Sequence, residues 1–301
     1  MPLDSSAAGR FSEPIENRFI ISVWDLCKRF GDLEVLKHVH LDVEQGTSVV
    51  ILGESGCGKT VLLKCIIGLL EPDCGRVLYE GRDVCAMRER EKVEMRKHFG
   101  MLFQGGALFD SLSVAENLAF SLQRHTRLSR REIDEIVAEK LELVGLPGIQ
   151  DKMPAELSGG MKKRVALARA IVMDPEIVLY DEPTTGLDPI MADQINDLMI
   201  KMEEALGVTS LVVTHDIASA QKVGSRLVMM YDGRFIFDGT PEEIVTSTDP
   251  LVRSFVRGDA HLREEAVRPH DLASQNGTPA HRKTPPATAG IHRVRKTEPR
   301  P

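Results

Sequence analysis

The stretch Gly53-Glu54-Ser55-Gly56-Cys57-Gly58-Lys59-Thr60 decides how this chain is read. It follows the short apolar run Ser48-Val-Val-Ile-Leu52 and opens a segment carrying Leu62, Leu63, Ile66 and Ile67 at helical spacing. Strand, glycine-rich turn and helix in that order are the setting in which the pattern G-x-x-x-x-G-K-[ST] binds phosphate. The glycines let the backbone bend until successive N–H groups point at one phosphate, and the helix N-terminus adds its positive end. Lys59 would meet the β- and γ-oxygens, and the Thr60 hydroxyl would hold Mg²⁺. A plain glycine-rich turn is the competing reading, and the flanking strand and helix argue against it.

Phosphate chemistry needs a second site with a metal ligand and a base. The run Ile177-Val-Leu-Tyr-Asp181-Glu182, an apolar strand ending in two adjacent carboxylates, offers both. Asp181 would reach the metal and Glu182 would polarise the attacking water. Helix capping or plain solvation could also explain such a pair, but the phosphate loop upstream favours the catalytic reading. With Ser210-Leu-Val-Val-Thr214, these apolar runs predict fully buried strands of a parallel sheet covered by helices. Ser113-Val-Ala-Glu116, Ser129-Arg-Arg-Glu132 and Thr240-Pro-Glu-Glu243 have capping-box spacing and predict three helix starts. The spacing of Ile133, Ile136, Val137, Leu141 and Val144 predicts one amphipathic helix closed by Gly145. Ile195, Leu198, Met199, Met202 and Leu206 predict a second, closed by Gly207.

In this context the chain resembles the ATP-binding cassette ATPases. The resemblance rests on Leu157-Ser158-Gly159-Gly160-Met161 followed by Lys-Lys-Arg-Val-Ala-Leu-Ala-Arg-Ala170, which is similar to that family's signature helix. Gln104 in Leu-Phe-Gln, Asp188 in Gly186-Leu-Asp and His215 in Val-Thr-His-Asp fall in the family's order, over about residues 19–245. The resemblance implies that Phe30 stacks on adenine and that Gln104 joins the metal site and reports its occupancy. It implies that His215 arranges the γ-phosphate with Glu182, and that Asp188 and Ser158–Gly160 complete the site. It further implies that the signature acts in trans on ATP held by a second cassette, so that the chain works as a homodimer. Two departures stand out: Met161 where Gln is common, and Val61 where Thr is usual.

The run Gln104-Gly-Gly-Ala-Leu-Phe-Asp-Ser-Leu-Ser-Val-Ala-Glu-Asn-Leu-Ala-Phe120, with Met161-Lys-Lys-Arg164, also resembles a narrower branch, the ATPases of Mla-type lipid-asymmetry transporters. That branch implies transmembrane permease subunits facing the segment after Gln104, a small regulatory subunit and a lipid-binding substrate protein. It implies a place on the cytoplasmic face of the inner membrane.

Composition agrees with this and excludes other classes. The 301 residues, 42% hydrophobic and 28% charged, suit a globular protein with a sizeable core. A net charge of −7 argues against general nucleic-acid binding. No run is apolar enough to span a membrane and no leader pattern opens the chain, which predicts a cytosolic protein. Five cysteines, with no Cys-x-x-Cys pair, are expected to be free thiols. Cys57, inside the phosphate nest, is expected to favour its thiolate and react with maleimide unless ATP protects it. Residues 1–17 read as a loose arm. Residues 259–301, with 6 of the 16 prolines and no aromatic, read as a disordered tail whose basic end is a solvated extension. His261, His270, His281 and His292 lack metal-ligand spacing and receive no role.

The expected fold is α/β: a RecA-like P-loop core at 18–258, with a small antiparallel β portion at 19–47 and 75–85 and a helical portion near 108–165. The expected function is ATP hydrolysis driving lipid transport. An importer of small solutes has the same catalytic motifs. A soluble cassette protein of DNA repair or translation would need fused cassettes or a long coiled-coil insertion, for which about 100 residues between Gly53 and Leu157 leave no room.

Overall fold

The computed structural model describes residues 18–259, so the expected arm and nearly all of the expected tail lie outside the described residues. Strands β1 (Phe19–Phe30) and β2 (Leu33–Glu44) form a long hairpin, and β3 (Ser48–Gly53) runs into helix α1 (Lys59–Ile66). After α1 come β4 (Cys74–Tyr79), β5 (Arg82–Asp83), α2 (Glu89–Arg96) and β6 (Phe99–Leu102). Helices α3 (Val114–His125), α4 (Arg130–Leu143) and α5 (Gly159–Ala170) follow. The chain then alternates through β7 (Ile177–Asp181), α6 (Pro189–Leu206), β8 (Thr209–Thr214), α7 (Ile217–Val223) and β9 (Arg226–Tyr231). It ends in β10 (Arg234–Gly239), α8 (Pro241–Thr246) and α9 (Pro250–Arg257).

Two sheets result. The larger has the order β10-β9-β3-β8-β7-β6, parallel except for the β9–β10 hairpin; the smaller is antiparallel in the order β2-β1-β4-β5. Alternation along each strand of the large sheet divides its side chains between two cores. Val50, Leu52, Val178, Tyr180 and Val212 join a core shared with α3, α4, α5 and α6. Val49, Ile51, Leu179, Leu211 and Val213 join the other, shared with α1 and the antiparallel sheet. Both faces being buried explains why these strands read as unbroken apolar runs. A one-residue slip in register would exchange the two sets, so each strand's pairing is strongly specified.

Local chemistry sets the helix ends. Ser113, Ser129 and Thr240 each accept a hydrogen bond from the third residue on, whose Glu side chain reaches back to the cap. Gly207 closes α6 in the left-handed conformation.

The cysteine expectation needs correcting. Cys27 and Cys74 form a disulfide, while Cys57, Cys65 and Cys85 are free. The cause is register: β1 and β4 pair with Cys27 directly opposite Cys74 and their Cα atoms 5.0 Å apart. A pairing across 47 residues leaves no mark in local spacing. Among the described residues, no helix is long and apolar enough to cross a membrane.

Candidate active site

The phosphate loop leaves the C-terminal end of β3, which lies between β8 and β9 in the sheet, so the loop sits where open α/β sheets bind ligands. Two glycines have steric reasons. A Cβ on Gly53 would lie 2.4 Å from the Met230 carbonyl oxygen, and Gly58 caps α1 at φ 113°, a conformation that L side chains rarely adopt. The turn brings the Lys59 ammonium onto the carbonyls of Gly53 (2.7 Å) and Glu54 (2.9 Å). Lys59 is buried, with its Nζ 3.4 Å from Glu182 Oε1. Ser55 and Gly56 are exposed at the tip of the loop.

Strands β7 and β8 deliver the acidic and imidazole groups beside it. Thr60 donates its hydroxyl to Asp181 Oδ1 at 2.8 Å. Burial pushes the Asp181 carboxyl above its ordinary range and Glu182 adds to the push, while the Thr60 hydrogen bond opposes them. Glu182 follows β7 with φ 51°, held there by donation of its N–H to the Val213 carbonyl at 2.9 Å. A glutamate in the left-handed region is strained, and such strain persists where the surroundings fix it. Its Oε2 lies 2.8 Å from His215 Nδ1 and accepts from the Thr185 hydroxyl at 3.0 Å. One carboxylate thus touches the phosphate-loop lysine, an imidazole and a hydroxyl. A hydroxyl and a carboxylate side by side form an oxygen-only donor pair, which fits a hard divalent cation such as Mg²⁺.

The other predicted residues are placed differently. Gln104 is exposed, and its main-chain carbonyl accepts from Lys163 Nζ at 2.5 Å. Phe30 is half exposed at the end of β1, with the Lys28 ammonium 5.5 Å from its ring centre. Ser158 caps α5 by accepting from Met161 N–H at 3.3 Å. Ser158 and Gly159 are exposed, and a Cβ on Gly159 would meet open space. Gly160 is buried against Met191. Asp188 caps α6, accepting from the N–H groups of Ile190 and Met191 at 3.0 Å each. Cys57 departs from expectation: burial, the largest influence, pushes its thiol above its ordinary range despite the opposing pull of Lys59.

Sequence reasoning missed two cations of α5. Lys163 is buried and donates to the carbonyls of Gln104 and Glu182 (3.3 Å), tying the segment after β6 to the end of β7. Burial pushes its ammonium down, against the pull of Asp181 and Glu182. Arg169 donates to the carbonyls of Gly106 (2.8 Å) and Ala107 (2.7 Å). The available signal was Lys163 in register with Gly160 and Leu167 on a buried helix face. A lysine there must have partners.

Comparison with known proteins gives the arrangement its family. A profile described as ABC transporter matches residues 36–185. A Haemophilus influenzae protein named as the intermembrane phospholipid transport system ATP-binding protein MlaF is 43% identical over 244 residues, covering 81% of this chain and 92% of the relative. The chain belongs to the ABC transporter family. It is an ABC ATPase of Mla type. A Mycobacterium leprae relative, named as a probable ribonucleotide transport ATP-binding protein, is 43% identical and covers 79% of this chain and 69% of its own length. The Arabidopsis thaliana chloroplastic protein TRIGALACTOSYLDIACYLGLYCEROL 3 is 40% identical, covering 79% and 74% respectively. A solved dimeric ATP-binding cassette in a post-hydrolysis state with ADP and Pi superimposes with TM-score 0.68 at 31% identity. It covers 73% of this chain and 98% of that one. Membership of the ABC family fits the clustered Lys59, Thr60, Asp181, Glu182 and His215, and it makes the protein an ATPase.

Proposed function

We propose that the protein is the ATP-hydrolysing subunit of a transporter that moves phospholipids, working as a homodimer docked on membrane permease subunits at the cytoplasmic face of the inner membrane. The observation that carries the chemistry is Glu182, held by Lys59, His215 and Thr185 at the end of β7. In this reading Glu182 orients and deprotonates the attacking water, and His215 holds that carboxylate and the γ-phosphate in line. Lys59 transfers its hydrogen bonds from loop carbonyls to the β/γ-phosphates, Phe30 stacks on adenine, and the loop N–H groups from Glu54 to Thr60 cradle the phosphates. Thr60 and Asp181, with Gln104, would hold Mg²⁺, which when bound neutralises phosphate charge.

The exposed Ser158 and Gly159 at the N-terminus of α5, with Gly160 buried behind them, support completion by a second copy, whose γ-phosphate would meet the Ser158 hydroxyl and the N–H groups of this turn. Ile190, 72% exposed beside Asp188, gives that face an apolar contact. A permease surface is supported by Phe109 and Phe120, exposed at 44% and 42% with ring centres 5.0 Å apart. They line a cavity of about 630 Å³. Buried Asn117 fixes this loop through bonds to the main chain of Phe109, Leu112 and Ser113, and the Arg169 guanidinium lies 5.9 Å from the Phe109 ring centre.

Lipid as cargo is supported by the MlaF-named relative and by the run after Gln104. Ribonucleotide cargo is a second reading, favoured by the name of the mycobacterial relative at the same identity. The test is ATPase and transport by the complex reconstituted in proteoliposomes. Phospholipid should stimulate turnover and change sides or membranes in an ATP-dependent way. Stimulation by ribonucleotides with no lipid movement would overturn the lipid reading.

A further inference from the structure

The antiparallel sheet carries a second cluster of chemistry away from the phosphate loop. Cys27 on β1, His38 on β2 and Cys74 on β4 bring their ligand atoms within 4.8 Å of one another. Cys27 Sγ lies 3.6 Å from His38 Nδ1. Zinc bonds of about 2.3 Å to sulfur and 2.0 Å to nitrogen, set at a tetrahedral angle, give an S···N edge of about 3.5 Å. Asp25 borders the cluster with two oxygens: its Oδ1 is 2.8 Å from His38 Nδ1, and its carbonyl is 3.3 Å from Cys74 Sγ.

Backbone shape points the same way. The β1–β2 register shifts between Val23 and Leu26 and again between Leu26 and Lys28, and the β1–β4 register shifts between Trp24 and Cys27. Asp25 and His38 both adopt positive φ, at 52° and 56°. Bulges re-aim side chains: here the irregular backbone sets the His38 imidazole beside the Cys27 sulfur and the Asp25 carboxylate against that imidazole, where it orients the ring. The cluster opens on a cavity of about 580 Å³ also lined by Lys28 and Asp73, so a solvated ion has a way in.

We infer that Cys27, Cys74 and His38, with water in the fourth position, form a binding site for a thiolate-seeking divalent cation of the Zn²⁺ class when the two cysteines are reduced. The disulfide clips β1 to β4, and the metal is an alternative clip that joins those two strands and adds β2 through His38. Two low-molecular-weight thiols reduce the Cys27–Cys74 bond, giving two protein thiols and one small disulfide. Metal binding then releases the two thiol protons. The sulfurs separate to about 3.8 Å, the tetrahedral S···S edge for zinc. Reducing conditions remove the covalent clip, and the metal replaces it.

The test titrates the full chain, reduced with a phosphine and freed of it anaerobically, with Co²⁺ in the absence of nucleotide, followed by Zn²⁺ displacement. One equivalent should give four-coordinate visible bands and a near-ultraviolet thiolate-to-cobalt band, both lost on adding Zn²⁺. Cys74→Ser should abolish the thiolate band. His38→Asn tolerates positive φ at an exposed position, so it should melt like wild type without metal and bind Zn²⁺ at least about tenfold more weakly. Zn²⁺ should raise the melting temperature of the reduced wild type and not that of His38→Asn. A six-coordinate cobalt spectrum without a thiolate band, or Zn²⁺ affinity unchanged in both variants, would overturn the inference.

Discussion

The phosphate loop with its carboxylates and the signature helix N-terminus are built to opposite plans. At the first, groups are paired inside the chain: Lys59 on two carbonyls, Thr60 on Asp181, Glu182 on His215. At the second, Ser158 uses its hydroxyl only to cap its own helix, and Gly159 faces open space. The difference teaches that the groups around the phosphate loop are paired within one chain, while the signature end is left open, as the proposed trans arrangement requires. Lys163 joins the two plans, since it stems from the signature helix and ends on the carbonyls of Gln104 and Glu182.

Breaking the paired side should have the largest effect. Glu182→Gln keeps size and hydrogen-bonding reach but cannot accept the water proton, so kcat should fall by about 10²–10⁴-fold with ATP binding retained. Lys59→Ala should abolish turnover as well, with a far-ultraviolet circular dichroism spectrum like that of wild type. Steady-state ATPase and nucleotide binding separate the two, and near wild-type hydrolysis in either would remove that residue from the mechanism.

The link between the two regions comes next. Lys163→Met fills the same space without the two donated bonds, so kcat should drop by about 10- to 100-fold through misplacement of Glu182. Its melting temperature should fall modestly, because Met fills the space but the Gln104 and Glu182 carbonyls lose their donor. An unchanged kcat would make Lys163 a packing residue only. A smaller effect on the isolated subunit is expected at the aromatic face. Phe120→Ala should leave basal ATPase intact and weaken co-purification with the permease by about tenfold or more. The smallest effect concerns Cys57. Because burial pushes its thiol up, maleimide labelling should be slower than for a small exposed thiol. It should rise with pH and be blocked by ATP. Fast labelling that is flat below pH 7 would restore the thiolate.

What was legible in the sequence is what local chemistry fixes. The phosphate loop declares itself because glycines, lysine and threonine must occur at set spacing between a strand and a helix. The caps at Ser113, Ser129 and Thr240 read correctly because donor and acceptor lie three residues apart. What stayed hidden depends on partners distant in sequence. The Cys27–Cys74 bond needs the β1–β4 register, and the Lys163 links span 59 and 19 residues. Cys57 was misjudged because a motif displays its amide dipoles but not the neighbouring residues that bury the sulfur. Asp188 shows the converse, since its visible task in this chain is a helix cap.

The central claim, that the open signature completes a site on a second copy, is tested most directly by light scattering of purified Glu182→Gln with ATP and Mg²⁺, alone and combined with Ser158→Arg. Ser158 is exposed and loss of its cap costs about 1 kcal/mol, so the double variant should fold and still bind ATP. The account predicts an ATP-dependent dimer for Glu182→Gln and a monomer for the double variant at the same ATP occupancy. A dimer that forms equally well with Arg at position 158 would contradict it.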